Sequence, residues 1–176
     1  MDLRVSSPPR VFYELSGLLE VTALVAAGDF LVHHRQPLAT IEALAAGAAR
    51  FPRHRGRRTL ATALALLDEH SESPRESHLR VILHQAQIAT VANFSIRTTG
   101  GFDYRVDLAI PGRMIVIEYQ SDEFHGDPAA RRRDMTRRAR LEADGWFVVE
   151  LNADDLANPT ELVSRFRKVI ARRPLL

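Results

Sequence analysis

One segment of the chain, from Tyr104 to Gln120, combines strand-forming residues with acidic side chains in a way that few folds accommodate. Its first half alternates in polarity and contains Asp107, and its second half is a continuous apolar run that ends at Glu118. A Pro-Gly pair between the halves predicts a turn, and the apolar run is typical of a strand at the centre of a sheet. The segment therefore predicts two adjacent core strands that carry carboxylates.

Carboxylates inside a sheet need partners, because an unpaired charge in the protein interior costs several kcal/mol or more. Two of them converging on neighbouring strands suit a divalent cation such as Mg²⁺, which prefers oxygen ligands. Residues two apart on a strand share a face, so Gln120 is expected on the same side as Glu118. The alternative interpretation is that each carboxylate pairs with an arginine, for example Asp107 with Arg105 or Arg113.

The order of these residues resembles that of a known family. The chain contains, in sequence, Arg105-Val106-Asp107, Glu118-Tyr119-Gln120, His125, Asp134 and Gly145-Trp146. This order is similar to that of bacterial proteins related to very-short-patch-repair endonucleases, in the restriction-endonuclease-like superfamily. The resemblance covers about residues 73 to 170. Two positions depart from the family pattern, since Gln120 stands where Lys is usual and Ser121 where Gly is more frequent.

The resemblance implies a metal-dependent DNA endonuclease that hydrolyses phosphodiester bonds with Mg²⁺ or Mn²⁺. Asp107 and Glu118 would bind the metal, and Glu76 on the first core helix would complete its ligand shell. Gln120 would orient the attacking water, and His125 would act as an auxiliary acid and base. Glu76 also fits a capping box that begins at Ser73, and a single loop histidine is often only structural. Many proteins of this fold cut both DNA strands as dimers, which leaves a homodimer open.

Arginine supplies almost all of the positive charge, since Lys168 is the single lysine among 24 basic residues. The arginines form two dense runs, one within residues 50–58 and one within residues 131–140. Guanidinium groups bind phosphate in a bidentate manner, so the second run predicts contacts with DNA. The residues assigned to this role are Arg131, Arg132, Arg133 and Arg137. A solvated helix face explains either run equally well.

The N-terminal part of the chain has the spacing of helices. Apolar positions predict one helix over residues 9–28 that stops near Gly28-Asp29, a second after Pro37 and a third over residues 60–67. Residues 1–70 are therefore predicted to form a helical extension. His33 and His34 have no carboxylate or histidine at ligand spacing on a predicted element, so they are interpreted as surface residues.

The remainder of the chain, residues 71–176, alternates between the two kinds of element. Capping and periodicity predict a helix over 74–87, strands over 91–97, 103–110 and 113–120, a helix over 128–143, a strand over 146–151 and a helix over 159–172. The expected fold is thus α/β, with a restriction-endonuclease-like αβββαβα core behind the N-terminal helical extension.

Composition bears on the cellular compartment and on membrane association. The chain has no cysteine, which agrees with a reducing cytoplasm, and no apolar run approaches the roughly 18 residues of a membrane span. A cytoplasmic protein without a membrane partner is expected. Two other functions stay open: a catalytically weak nucleic-acid-binding module of a toxin–antitoxin or phage-defence system, and a helical interaction protein whose first 70 residues are the working surface.

Overall fold

The computed structural model describes residues 5–51, 53–120 and 128–175. The chain divides into two compact units, Met1–Val81 and Ile82–Leu176. Within the described ranges the first unit is helical, and the second contains a four-stranded mixed sheet with helices. The protein is therefore of the mixed α/β class. No helix within these ranges is both long enough and apolar enough to cross a membrane.

The helices of the first unit enclose their own apolar core. They are α1 (Pro8–Leu15), α2 (Val21–Val32), α3 (Ile41–Ala49), α4 (Arg57–Leu64) and the start of α5 (Pro74–Gln85). Phe12, Leu24 and Leu44 are fully buried in this core. The predicted helix after Pro37 is confirmed as α3, whose N-cap Thr40 accepts a hydrogen bond from the Ala43 N–H at 3.1 Å.

The prediction of a single helix over residues 9–28 is wrong, because the chain turns between α1 and α2. At the end of α1, Ser16 Oγ donates to the carbonyl of Tyr13 at 2.6 Å, so a side chain satisfies a backbone carbonyl of the last helical turn. Glu20, the N-cap of α2, is extended, with φ −72° and ψ 164°. Two short helices therefore replace one long helix.

Gly28 does not end the second helix. A Cβ at this position would lie 2.4 Å from Leu67 Cδ2 and 2.7 Å from Phe12 Cε2, so glycine is needed here for close packing. The helix continues through Asp29, which is buried with 2% exposure, to Val32. In the sequence Gly28 resembles a helix stop because glycine commonly ends helices. Its packing role is not visible there, since Leu67 is distant along the chain.

Four strands form the sheet of the second unit: β1 (Val91–Arg97), β2 (Asp103–Ile110), β3 (Ile115–Tyr119) and β4 (Phe147–Leu151). They lie in the order β1-β2-β3-β4, with β1 and β3 antiparallel to β2 and with β4 parallel to β3. The predicted strands over 91–97 and 103–110 are confirmed. β3 begins later than predicted because residues 111–113 form a 3₁₀ turn and Met114 is left-handed, with φ 49°.

Within the described part of the second unit, the sheet is accompanied by α6 (Pro128–Ala143), α7 (Ala153–Ala157) and α8 (Pro159–Ala171). Leu141 of α6 packs in one apolar cluster with Ala109, Val116 and Val148, which the register places side by side on β2, β3 and β4. These three strand residues share a face of the sheet. α6 therefore covers that face, and residues two positions further along each strand point to the same side.

Candidate metal and nucleic-acid site

Three carboxylates follow the apolar row beneath α6. The pairing of β2 with β3 ends at Leu108 and Ile117, and Asp107 and Glu118 are the residues immediately beyond this last pair. Glu118 pairs directly with Glu150 of β4. Opposed residues lie on one face, with Cβ atoms about 5 Å apart. The sheet thus brings Asp107 and Glu118 together, as the sequence pattern led us to expect, and adds a third acidic residue.

The Glu118 side chain is 14% exposed, and that of its partner Glu150 is 38% exposed. Burial raises the pKa of Glu118 from 4.5 to about 7. The cation of Arg137 lowers this pKa, and the charges of Asp107 and Glu150 raise it. Arg137 Nη2 lies 2.5 Å from Glu118 Oε1, but among the residues that the structure describes this oxygen has no partner with hydrogen-bond geometry. The Arg137 guanidinium is therefore close to Glu118 Oε1 but does not satisfy it with a well-aligned hydrogen bond.

Asp107 is partly buried and uses one of its oxygens for the backbone. Its Oδ2 accepts a hydrogen bond from the Tyr119 N–H at 2.9 Å. This bond ties the carboxylate of β2 to the strand end next to Glu118. The alternative interpretation paired Asp107 with Arg105 or Arg113. The partner of Asp107 Oδ2 is instead a backbone N–H, and Arg113 donates to the carbonyl of Ile170 at 3.1 Å.

The chemistry of this donor set fits a divalent metal ion. Asp107, Glu118 and Glu150 carry carboxylate oxygens, which are the kind of ligand that Mg²⁺ and Mn²⁺ prefer, although the oxygens of the three residues do not all lie within 4.8 Å of one another. Glu118 Oε1 is a buried polar atom that lacks a hydrogen bond among the described residues. A dication would stabilise the ionised form of a group that burial otherwise disfavours.

Glu150 was missed by the sequence interpretation. It lies near the C-terminal end of β4, and its Oε2 is 2.7 Å from Arg138 Nη1. The signal was present, because Glu150 lies two residues after Val148 in the apolar strand that follows α6. Only the parallel pairing of β3 with β4 shows that this carboxylate stands beside Glu118.

The other predicted catalytic residues lie at the edge of the site or beyond the described part of the chain. Gln120 follows β3 directly, its N–H donates to the carbonyl of Leu151 at 2.7 Å, and the residue is exposed. An exposed amide is available to hydrogen-bond a water or a phosphate. His125, like Ser121, lies outside the described residues.

Glu76 begins α5 in the first unit and is buried there, with 3% exposure. Its N–H donates to Ser73 Oγ at 3.1 Å, which is the cap predicted from the sequence. Its carboxylate Oε2 accepts the N–H of Glu72 at 3.1 Å, one residue before the N-cap. Local backbone bonds therefore account for the burial of Glu76, and its assignment as a metal ligand stays a prediction.

The arginines of α6 divide into two groups. Arg131, Arg132 and Arg133 are exposed on the first turns of the helix. Arg137 is only 29% exposed, since it contacts Glu118 and donates to the carbonyl of Arg105 at 2.7 Å. Three of the four predicted DNA-binding side chains are thus exposed to solvent, and the fourth lies at the carboxylates.

Aromatic residues at the start of β2 lie beside this basic helix. Arg137 stacks over the ring of Tyr104 at 5.7 Å, and Arg140 stacks over the ring of Phe102 at 3.5 Å. A cleft next to these rings is lined by Tyr104, Ala129, Arg132, Arg133, Asp134, Thr136, Arg137 and Arg140. The cleft combines cations with a ring face, which are the groups that bind phosphates and bases in nucleic-acid-binding proteins.

Comparison with known proteins gives relatives without an assigned activity. The chain is 36% identical over 124 residues to two uncharacterised proteins of Mycobacterium tuberculosis, one from strain CDC 1551 / Oshkosh and one from strain ATCC 25618 / H37Rv. The matched region is 67% of this chain and 45% of each relative, so the chain matches less than half the length of these proteins. No protein-family model and no solved structure matches the chain.

Proposed function

We propose that this protein is a metal-dependent DNA endonuclease with a restriction-endonuclease-like core of the very-short-patch-repair type. The observation that carries the proposal is the placement of Asp107 and Glu118 immediately beyond the last pair of β2 and β3, with Glu118 Oε1 buried and without a hydrogen bond among the described residues. The order of elements from α5 to α8 and the mixed sheet support it. So does the resemblance of the motif series.

In this proposal Asp107 and Glu118 bind Mg²⁺ or Mn²⁺, with Glu150 next to them. A bound divalent ion supplies positive charge beside the scissile phosphate, where negative charge develops during hydrolysis. Arg131, Arg132 and Arg133 bind backbone phosphates and set the register of the DNA. The Gln120 amide orients the attacking water by a hydrogen bond. In this proposal the exposed side chains position the DNA and the water, and the partly buried carboxylates hold the metal ion.

A second candidate function is a nucleic-acid-binding module with little catalytic power, of the kind found in toxin–antitoxin or phage-defence systems. The contact between Arg137 and Glu118 favours this candidate, because an internal cation already offsets the charge of the central carboxylate. Gln120 favours it as well, since an uncharged amide stands where the superfamily usually has the ammonium group of Lys. Both candidates share the arginine face and differ in hydrolysis.

Cleavage of supercoiled plasmid separates the two candidates. Tag-free protein is incubated with plasmid in Mg²⁺, in Mn²⁺ or in chelator, and nicked and linear products are separated on a gel. Asp107→Asn and Glu118→Gln should each lower the rate by about 100-fold or more, the scale of removing one charge-stabilising group. Asp103→Asn is the matched control, because Asp103 lies on the same strand in an exposed pair with Arg97.

Nicking that needs the metal and is abolished in the two site variants but not in the control would support the endonuclease. Equal nicking in wild type, Asp107→Asn and Glu118→Gln would contradict the site assignment. Protein that binds the plasmid but does not nick it in any divalent metal would favour the binding module.

A further inference from the structure

A second group of metal-ligating side chains lies in the first unit. His33 and His34 follow α2, and Glu72 precedes α5; one ligand atom from each lies within 4.8 Å of the others. His33 Nε2 lies 3.6 Å from Glu72 Oε2. We propose that these three side chains bind a transition-metal ion of the Zn²⁺ class. The interpretation of His33 and His34 as ordinary surface residues missed Glu72, which is distant in sequence.

Buried bonds hold the two chain segments of this site together. Asp29 near the end of α2 is 2% exposed, and its Oδ1 accepts the Asp68 N–H at 2.8 Å. Arg80 Nη2 donates to Asp29 Oδ2 at 2.7 Å. The His34 N–H donates to the carbonyl of Glu69 at 2.9 Å. The segment that carries Glu72 is therefore fixed against the end of α2, so the histidines and the carboxylate meet because the core places them there.

The ring of His34 is oriented for metal binding. Its Nδ1 lies 3.1 Å from the carbonyl oxygen of Glu69. A carbonyl oxygen only accepts hydrogen bonds, so Nδ1 carries the proton and Nε2 presents its lone pair. Metal-binding histidines commonly donate their second ring N–H to a backbone carbonyl in this manner, which fixes the tautomer and the ring direction.

The donor set selects the class of metal. Two imidazole nitrogens and one carboxylate oxygen suit Zn²⁺, Co²⁺, Ni²⁺ or Cu²⁺, whereas Mg²⁺ prefers oxygen ligands alone. Ligand bonds of about 2.0–2.2 Å place tetrahedral donor atoms roughly 3.3 Å apart. The side chains of His33 and Glu72 are 23% and 30% exposed, so they have room for the small rotation that closes the site.

Three protein ligands leave a fourth position for water or for a small ligand. A cleft beside His34 is lined in part by Ile41, Leu67 and His70. Zn²⁺ sites with three protein ligands and an open position are typical of catalytic rather than closed structural centres.

Arg35 is a cationic competitor that the site must accommodate. Its Nη2 lies 3.1 Å from Glu72 Oε1, whereas Oε2 is the oxygen nearer to His33. Its N–H lies 3.4 Å from His33 Nδ1, a long contact that constrains the tautomer weakly. The Arg35 side chain is 61% exposed, so it can turn to solvent at little cost when a cation binds.

Titration of tag-free protein with Zn²⁺ tests the proposal. All proteins carry Asp107→Asn, so that the carboxylates of the second unit do not contribute to the first equivalent. We expect one Zn²⁺ per chain by calorimetry, a rise in the thermal midpoint, and the ligand-field absorption of tetrahedral Co²⁺ when Co²⁺ replaces Zn²⁺. His34→Ala and Glu72→Gln should each weaken Zn²⁺ binding by about tenfold or more.

His84→Ala is the matched control, since His84 is an exposed histidine of the second unit. It should bind Zn²⁺ as its parent does. Failure of the parent to bind Zn²⁺, or binding that is unchanged in both His34→Ala and Glu72→Gln, would overturn the proposal. Neither result bears on plasmid cleavage, which depends on Asp107 and Glu118.

Discussion

Arg137 Nη2 lies 2.5 Å from Glu118 Oε1, so a residue of the predicted DNA-binding helix contacts the predicted metal ligand directly. The same guanidinium donates to the carbonyl of Arg105, which holds it at the sheet. A metal ion at Glu118 must therefore share the carboxylate with Arg137 or displace it. This pair couples the basic helix to the acidic row.

The Arg137 contact predicts a gain of metal affinity when the arginine is removed. In Arg137→Ala this cation no longer repels the metal, and we expect Mn²⁺ to bind roughly tenfold more tightly at pH 8, about the effect of one partly buried charge. Calorimetry with Mn²⁺ measures this. Arg132→Ala, an exposed change on the same helix, should leave the affinity near wild type. Weaker binding in Arg137→Ala would show that the arginine supports the site.

The raised pKa of Glu118 predicts how stability depends on pH in metal-free protein. The group ionises near pH 7 when folded and near 4.5 when unfolded, so its stabilising effect is full below pH 4.5 and is lost as pH rises through 7. Glu118→Gln does not titrate. The free energy of unfolding of wild type should fall relative to Glu118→Gln by up to about 3 kcal/mol between pH 4.5 and pH 8.

Urea denaturation at several pH values measures this difference. Titrating groups whose charges do not act on Glu118, such as Asp29, whose pKa burial also raises, contribute equally to both proteins and cancel. A difference that stays constant with pH would mean that Glu118 ionises normally in the folded protein.

The exposed arginines of α6 predict a specific salt dependence of DNA binding. Replacing Arg131, Arg132 and Arg133 with Ala should reduce the slope of log affinity against log salt by about 0.9 for each phosphate that these side chains neutralise. Arg53, Arg55 and Arg58 are exposed arginines of the first unit and give a matched triple replacement. Equal slopes for wild type and the α6 variant would identify this face as merely solvated.

The role assigned to Gln120 predicts that its replacement changes the cleavage rate without changing the affinity for metal. Its exposed amide is assigned to the attacking water, so Gln120→Ala should slow single-turnover cleavage while leaving Mn²⁺ affinity near wild type. Gln120→Lys should retain or raise the rate, because an ammonium group adds positive charge beside two carboxylates. An unchanged rate in Gln120→Ala would remove the residue from the mechanism. Cleavage that appears only in Gln120→Lys would favour the binding module.

The second unit was largely predictable because its signals are local. Polarity alternation defined β2, and the continuous apolar run defined β3, so the placement of Asp107 and Glu118 at the same end of the β2–β3 pairing followed from the hairpin. Glu150 was not predictable in the same way, since its position beside Glu118 depends on a parallel pairing across α6. The pairing of Glu118 with Arg137 likewise required the packing of a helix on the sheet.

The first unit was predicted less well, for a related reason. Gly28 was interpreted as a helix stop, but its role is set by Leu67 and Phe12, which no local pattern reveals. His33 and Glu72 are brought together by the buried bonds of Asp29. Helical spacing shows which residues form helices, and it does not show which distant side chains meet.

Binding of Mn²⁺ at the carboxylate row is the most direct test of the central claim. The parent protein for this titration carries Glu72→Gln, so that the site in the first unit does not contribute. It is compared with three proteins that carry, in addition, Asp107→Asn, Glu118→Gln or Asp103→Asn. We predict that the parent and the Asp103→Asn protein bind Mn²⁺ alike, and that Asp107→Asn and Glu118→Gln each abolish binding. Mn²⁺ binding that is absent in the parent, or unchanged by both site substitutions, would contradict the account.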